Sequence, residues 1–317
     1  MKILWLAMDV RQLRYFISVV EAGSFTAASH RLRVAQPALS QHVLSLEKEL
    51  GTRLLQREAR GVRLTDSGAR FIEHARIVLR ELERAREAAA EAGGEISGRV
   101  AIGLPTTVTP ILAAPLLEMA LTSLPRVTLH LLESHSGFLR EWLDSSRLDL
   151  ALLFNVADAD GLDLQPLVVE TLHLISAPQI GPKAETVTLA QLHTFDLFLA
   201  SQSHDLRNTL DDAIFLTTKR KLQVKAEIDS VSTIKQMVMS GLGYTILPSA
   251  AIQAELSKGL LSARRIVRPT LARHASIATL SRRPKTRAQQ AVARLIVETT
   301  NTLIDRGIWS AKRAPIA

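Results

Sequence analysis

The chain reads as an α/β protein of more than one domain, with an N-terminal all-α winged helix-turn-helix ahead of it. Three observations predict this. Residues 23–68 spell a short helix, a turn, a longer helix and a basic hairpin. Residues 71–92 carry an apolar seventh-residue repeat. After Gly98, strand-like and helix-like segments alternate to the C-terminus. With 317 residues, 47% of them hydrophobic, there is enough chain for two or three cored domains.

The first helix is expected over Arg11 to Glu21, with Leu13, Phe16, Ile17 and Val20 on one face and Gly23 as its stop. Ser24 suits the N-cap of helix 2, whose inner face is Phe25, Ala28 and Leu32. After the Arg33-Val34-Ala35 turn, Pro37 falls in the first turn of helix 3, where a missing N–H costs nothing. Leu39, Val43, Leu46 and Leu50 make its core stripe. That leaves Gln36, Pro37, Ser40 and Gln41 facing away. Glutamine can pair bidentately with adenine, and serine can bond several bases or a phosphate. Arg53, Arg57, Arg60 and Arg63 flank Gly61, the expected wing turn, where they would meet phosphates or a narrow minor groove. Double-stranded DNA is therefore the expected partner.

Charge distribution agrees. The net charge is +8, and residues 1–65 hold ten Lys/Arg against five Asp/Glu, an excess of five. Residues 258–313 hold thirteen against two, an excess of eleven, with no DNA-binding pattern. That segment is expected to be a solvated face, or otherwise an interaction or anion-binding surface.

Phe71, Ala75, Val78, Leu82, Ala85, Ala89 and Ala92 step by four and three along a helix expected over Thr65 to Ala92. About 27 residues at 1.5 Å each span about 40 Å, which suits a coiled-coil dimer. Packing of the same stripe on its own domain is the alternative use. Gly93-Gly94 ends the helix at a hinge.

The remainder predicts strands at Arg99 to Leu104, Val127 to Glu133, Leu148 to Phe154, Leu172 to Ala177, Asp196 to Ala200, Leu222 to Ile228, Tyr244 to Leu247 and His274 to Ser281. Helices are expected at Pro110 to Leu124, Gly137 to Ser145, near Asp205 to Leu216 and Val231 to Met239, and at Thr286 to Asp305. The alternation implies a mainly parallel sheet, and two lobes joined by two crossovers would explain the order.

Other functions fit poorly. There is no cysteine, so disulfides, thiolate catalysis and thiolate metal sites are excluded. No P-loop, H-E-x-x-H or G-x-S-x-G is present, and His130 and His135 lack helical i, i+4 spacing for a metal, so neither catalysis nor a metal site is expected. No apolar run approaches the roughly 18 residues of a membrane span. A cytoplasmic protein without a membrane partner is expected. A small-molecule-binding protein without regulatory DNA binding is the alternative reading.

Residues 9–68 resemble the DNA-binding domain of LysR-type transcriptional regulators. The resemblance rests on Asp9 to Phe16, Gly23 to Ala28, Gln36-Pro37-Ala38-Leu39-Ser40, Leu46-Glu47, Leu50-Gly51, and Arg63-Leu64-Thr65 with Gly68. Gly98 to Gly103, Arg147 to Ala151 and Ser240 to Pro248 extend it over nearly the whole chain. Leu104 to Thr107 and Trp142-Leu143 look most like the subgroup containing nitrogen-assimilation regulators. Members of the family begin at the Met-Asp of this pattern, which implies Met8 as the natural start. One departure is Ala35, where the family carries Ser or Thr as N-cap of the recognition helix. Losing such a cap costs about 0.5–2 kcal/mol.

The resemblance implies a DNA-binding domain over 1–65, a linker and dimerisation helix over 66–94, and a two-lobed, periplasmic-binding-protein-like effector domain over 95–317. Lobe 1 would take about 95–168 and 270–317, and lobe 2 about 169–269. It implies DNA contacts from Arg31, Arg33, Gln36, Pro37, Ser40, Gln41, Arg57, Arg60 and Arg63. It also implies a dimer or tetramer, with RNA polymerase as a further partner, and a small-molecule effector in place of a cofactor. Thr106 and Thr107, between a strand and a helix, suit a small anion, or else simply cap the helix. By resemblance, Ser201, Ser203 and His204 would line the opposing lobe, and Val231 with Ser232 would add a wall.

Overall fold

The computed structural model describes residues 8–58, 61–90, 95–156, 159–202 and 204–315, and at 87–90 the backbone alone. These fall into two compact units, one holding 8–90 and 145–147, the other 95–144 and 148–315. Arg60, Ser203 and Ala92, the side chain of Ala89 and the Gly93-Gly94 hinge lie outside the described residues, as does the segment before Met8.

In the N-terminal unit, α1 (Val10–Ala22), α2 (Phe25–Leu32) and α3 (Gln36–Leu50) precede a hairpin of β1 (Leu55–Glu58) and β2 (Gly61–Leu64). α4 (Asp66–Ala90) follows. Local chemistry sets the boundaries. The Asp9 carboxylate accepts from Gln12 N at 2.7 Å while Gln12 Oε1 accepts from Asp9 N at 2.8 Å, a reciprocal cap. Ser24 Oγ accepts from Ala27 N at 3.1 Å. Leu13, Phe16, Val19, Ala28, Leu39, Val43 and Leu46 close a core around which the three helices cross. Val19, rather than the expected Val20, is the fully buried valine of α1.

On α4, the first part of the expected dimer seam packs within the chain. Ala75 and Ile72 are buried in the unit's own core, Phe71 packs on Phe16 with ring centroids 5.6 Å apart, and Leu79 joins them. A three-helix domain this small needs that stripe to exclude water from its centre. Phe71 and Ala75 are therefore engaged within the chain. Val78 is exposed, Leu82 half-buried and Ala85 exposed.

The C-terminal unit contains β3 (Gly98–Pro105), α5 (Thr109–Ser123), β4 (Val127–Ser134), α6 (Ser136–Asp144), β5 (Leu150–Phe154) and β6 (Leu162–Ser176). Then come β7 (Thr186–Thr188), β8 (Leu197–Leu199), α7 (Asp205–Thr218), β9 (Val224–Glu227), α8 (Val231–Met239) and β10 (Thr245–Pro248). It ends with α9 (Gln253–Ser257), β11 (Ser262–Val267), β12 (Ala272–Leu280), α10 (Arg287–Asp305) and β13 (Ala311–Arg313). The sheet runs β4-β3-β5-β12-β6-β11-β7, with β10 and β13 also on β6.

It is mixed, not mainly parallel. β3 is parallel to β4 and β5, but β12 runs antiparallel to β5 and β6, and β10, β11 and β13 run antiparallel to β6. The chain returns along β12 after completing the second lobe, so the return strand opposes the strands it joins. β6 begins ten residues before the expected strand because one strand serves both lobes. Its first part pairs β12 and β13, and its last part pairs β10 and β11.

Alternation along β3 puts Val100, Ile102 and Leu104 on one face, where Leu112 and Leu116 of α5 and Val292 and Ile296 of α10 cover them. Ala101 faces the other side, against Leu139 and Leu143 of α6. In the second lobe, Leu174 and Ile246 face one core, and Ile175 and Leu247 face another.

Candidate nucleic-acid interface and ligand cleft

In the N-terminal unit, Arg33 ends α2 in the left-handed conformation, φ 55°, with its N–H on Ser29 and His30 carbonyls. That reversal swings α3 out of the α2 direction. Leu39 points inward with no exposure, so Gln36, Pro37 and Gln41 are left on the surface and Ser40 is half-buried beside them. Ala35 stands at the N-cap with no side-chain bond, so the N–H groups of the first turn point outward uncapped.

The wing is fixed close by. Val62 N donates to Gly23 O at 2.9 Å, and a Cβ on Gly61 (φ +141°) would come within 2.4 Å of that same carbonyl oxygen. Only glycine allows the contact. Arg57 on β1 donates from Nη2 to Ser40 Oγ at 2.8 Å, with its guanidinium 5.0 Å above the Phe25 ring. Arg63 and Arg33 are exposed, with no ion-pair partner among the described residues. Arg31 lies 3.5 Å from Glu21 in an exposed pair of little strength.

The C-terminal unit holds a cleft of about 760 Å³, mouth included, at the point where β6 and β12 pass from one lobe to the other. Thr106, Thr107, His204 and Val231 line it, as expected. Ser201 and Ser232 do not. Ser201 N is bonded to Asp229 Oδ1 at 2.8 Å, and Ser232 Oγ shares a hydrogen bond with Ser230 Oγ at the head of α8. Thr106 and Thr107 do not cap α5 either, since Val108 holds that place without a side-chain bond.

Six lining residues outside the expected ligand set contribute most of the chemistry: His135, weighed in the sequence only as a metal ligand, with Asn155, Asp205, Asp229, Thr245 and Arg273. Arg273 is the buried centre. Its Nε donates to Glu170 Oε1 at 2.6 Å, its Nη2 to Thr107 Oγ1 at 2.7 Å, and its guanidinium lies 3.6 Å over the Phe154 ring. Trp309 Nε1 holds the other Glu170 oxygen at 3.1 Å. Burial pulls the Arg273 pKa below its usual value, against the opposing effect of Glu170. The basic 258–313 segment is thus not wholly a solvated face. Arg207 is equally engaged, with Asp211 at 2.8 Å, Glu227 at 2.9 Å and the Ala200 carbonyl at 3.1 Å.

Two histidines meet across the cleft. His135 from the β4–α6 turn and His204 from the head of α7 have ring centroids 3.5 Å apart. Burial lowers both pKa values; at His135 the neighbouring His204 adds to the lowering. His204 Nε2 lies 3.1 Å from Asp229 Oδ1, off the line of a hydrogen bond. The Ser201 N–H holds the Asp229 carboxyl below its usual pKa. Asn155 Nδ2 bonds Thr209 Oγ1 at 3.3 Å, a second link across the opening. His130, the partner considered for a metal, instead contacts Arg99 on the outside of β3 and β4, at 2.8 Å.

The expectation of an anion site is not supported by this charge balance. Both arginines are matched by buried or neighbouring carboxylates, and Asp205 and Asp229 remain.

Comparison with known proteins agrees with both halves. Residues 10–69 match the bacterial regulatory helix-turn-helix protein, lysR family, and residues 93–301 match the LysR substrate binding domain. The chain belongs to the LysR family of transcription regulators. It is 34% identical over 309 residues to the nitrogen assimilation regulatory protein nac of Escherichia coli, covering 95% of this chain and 99% of that one. It is 32% identical over 250 residues to the E. coli DNA-binding transcriptional dual regulator OxyR, covering 78% and 81%. The structure of full-length OxyR from Pseudomonas aeruginosa, solved as a cysteine-to-aspartate variant, superposes with a TM-score of 0.71 at 26% identity, covering 91% and 97%. The protein is a DNA-binding regulator with an effector-binding domain, not an enzyme. Among the described residues no helix is long and apolar enough to cross a membrane.

Proposed function

We propose that this LysR-family regulator reads its operator with Gln36, Pro37, Ser40 and Gln41 in the major groove, flanked by Arg31, Arg33, Arg57, Arg60 and Arg63 on phosphates. The observation that carries the reading is the exposed polar end of α3, uncapped and set beside the unpaired Arg33 and Arg63. A helix N-terminus with free N–H groups attracts phosphate, and the side chains beside it supply base discrimination. Val78, Leu82, Ala85 and Ala89 provide the seam for a second copy, so that two recognition helices meet two half-sites. The C-terminal cleft takes a small-molecule effector, and its occupancy shifts the lobes and thereby the DNA-bound assembly. RNA polymerase is the partner through which bound protein would act, and the cytoplasm is where these components meet.

The test is a gel shift on the intergenic DNA beside the protein's own gene. Retardation at low salt is expected, and its absence on every such fragment overturns the reading. Gln41→Ala should change base preference. Arg63→Ala should weaken binding to all sequences alike and lower the salt slope by about one unit.

A further inference from the structure

The cleft contains two features that the known architecture does not use. Thr245 on β10 is 1% exposed and lines the cleft, yet its Oγ1 has no hydrogen-bond partner. A buried hydroxyl left unpaired is costly, and such a group in a native fold calls for a partner supplied from elsewhere. Asp205, in the first turn of α7, also lines the cleft, and its carboxylate has no hydrogen bond or ion pair among the described residues.

Charge accounting gives the sign of the missing partner. Every guanidinium that reaches the cleft is already matched: Arg273 by Glu170, and Arg207 by Asp211 and Glu227. His135 and His204, held toward the neutral form by burial, bring no compensating charge. The carboxylates of Asp205 and Asp229 are what remains. Leu199, Leu206, Ile228, Ile234 and Leu247 supply an apolar part of the wall, beside the uncharged Thr106, Ser134, Ser136, Asn155 and Thr209.

We infer that the effector is a small organic cation, an amine with an apolar body, whose nitrogen faces Asp205 and whose polar group bonds Thr245 Oγ1. An incoming carboxylate would meet two like charges and find no free guanidinium. An amine gains the Asp205 charge, and a polar group on its body supplies the partner that Thr245 lacks. The inference rests on the cleft being the effector site.

Titration calorimetry on the full-length protein compares benzylamine, benzyl alcohol and benzoate, and likewise hexylamine, hexanol and hexanoate. Each set varies charge on one skeleton. Each amine should bind at least about tenfold more tightly than its matched carboxylate. Asp205→Asn should cut amine affinity about tenfold and leave the alcohol unchanged. Thr245→Val should weaken each alcohol, whose hydroxyl is the group that meets Thr245, while the ligand-free melting temperature stays equal or rises, since an unpaired buried hydroxyl is removed. A carboxylate that binds as well as its amine overturns the assignment but leaves the cleft as effector site. Unchanged amine affinity in Asp205→Asn, or no binding by either amine, also overturns it. A gel shift on the same samples reports separately on the regulator reading, since DNA retardation does not require any of these probes.

Discussion

Replacing Arg273 with Met isolates the energetic centre of the C-terminal unit. Methionine keeps the unbranched stem beside Phe154 but removes the guanidinium. Glu170, only 1% exposed, would keep one bond from Trp309 Nε1 and lose its charge partner, and Thr107 Oγ1 would lose its donor. Breaking one side of a buried pair costs about 3–5 kcal/mol, chiefly because the surviving charge stays desolvated. For a domain of this size each kcal/mol moves the melting temperature by about 2–4 °C. Differential scanning calorimetry should thus show the C-terminal transition falling by about 6–20 °C. Arg273→Met with Glu170→Leu should recover most of the loss, because neither charge is then left buried. The exposed pair Lys285–Asp163, at 2.9 Å, is the control: Lys285→Ala should change stability by no more than about 1 kcal/mol. If Arg273→Met costs under about 1 kcal/mol, or the double variant is no better than the single, the reasoning from a desolvated charge is wrong.

Other consequences follow from single positions. Ala35→Ser should supply the missing cap of α3 and stabilise the N-terminal unit by about 0.5–1 kcal/mol, read as a higher melting temperature of that transition. The lowered pKa values of His135, His173 and His204 mean that the unfolded chain binds more protons than the folded one below about pH 6.5. The stability of the C-terminal unit should therefore fall as pH drops through and below that value and level off above it. His135→Gln with His204→Gln should reduce the slope, leaving the His173 part, and an unchanged slope would refute the assignment. Gly61→Ala should displace the wing from Gly23 and weaken DNA binding without altering the C-terminal transition, as measured by gel shift and calorimetry together.

Local chemistry alone determined much of this protein. The Ser24 cap, the Pro37 start of α3 and the spacing of Leu39, Val43 and Leu46 depend on residues close in the chain, so the sequence alone carries them. The same holds for α8 and for the run of α5, α6 and α10, where periodicity and breakers agree. Tertiary structure decided what periodicity leaves degenerate. The stripe on α4 can serve a partner or its own domain, and only packing showed that Phe71 and Ala75 serve the latter. Short β7, β11 and β13 carry no repeat long enough to register, and the direction of β12 depends on a lobe completed about a hundred residues after β5 began. The cleft shows the limit best. In the sequence Arg273 is one more charge in a basic segment, and it is a buried anchor only because Glu170, 103 residues away, lies beside it. Charge pairing and burial are properties of neighbours in space, and a linear sequence does not name those neighbours.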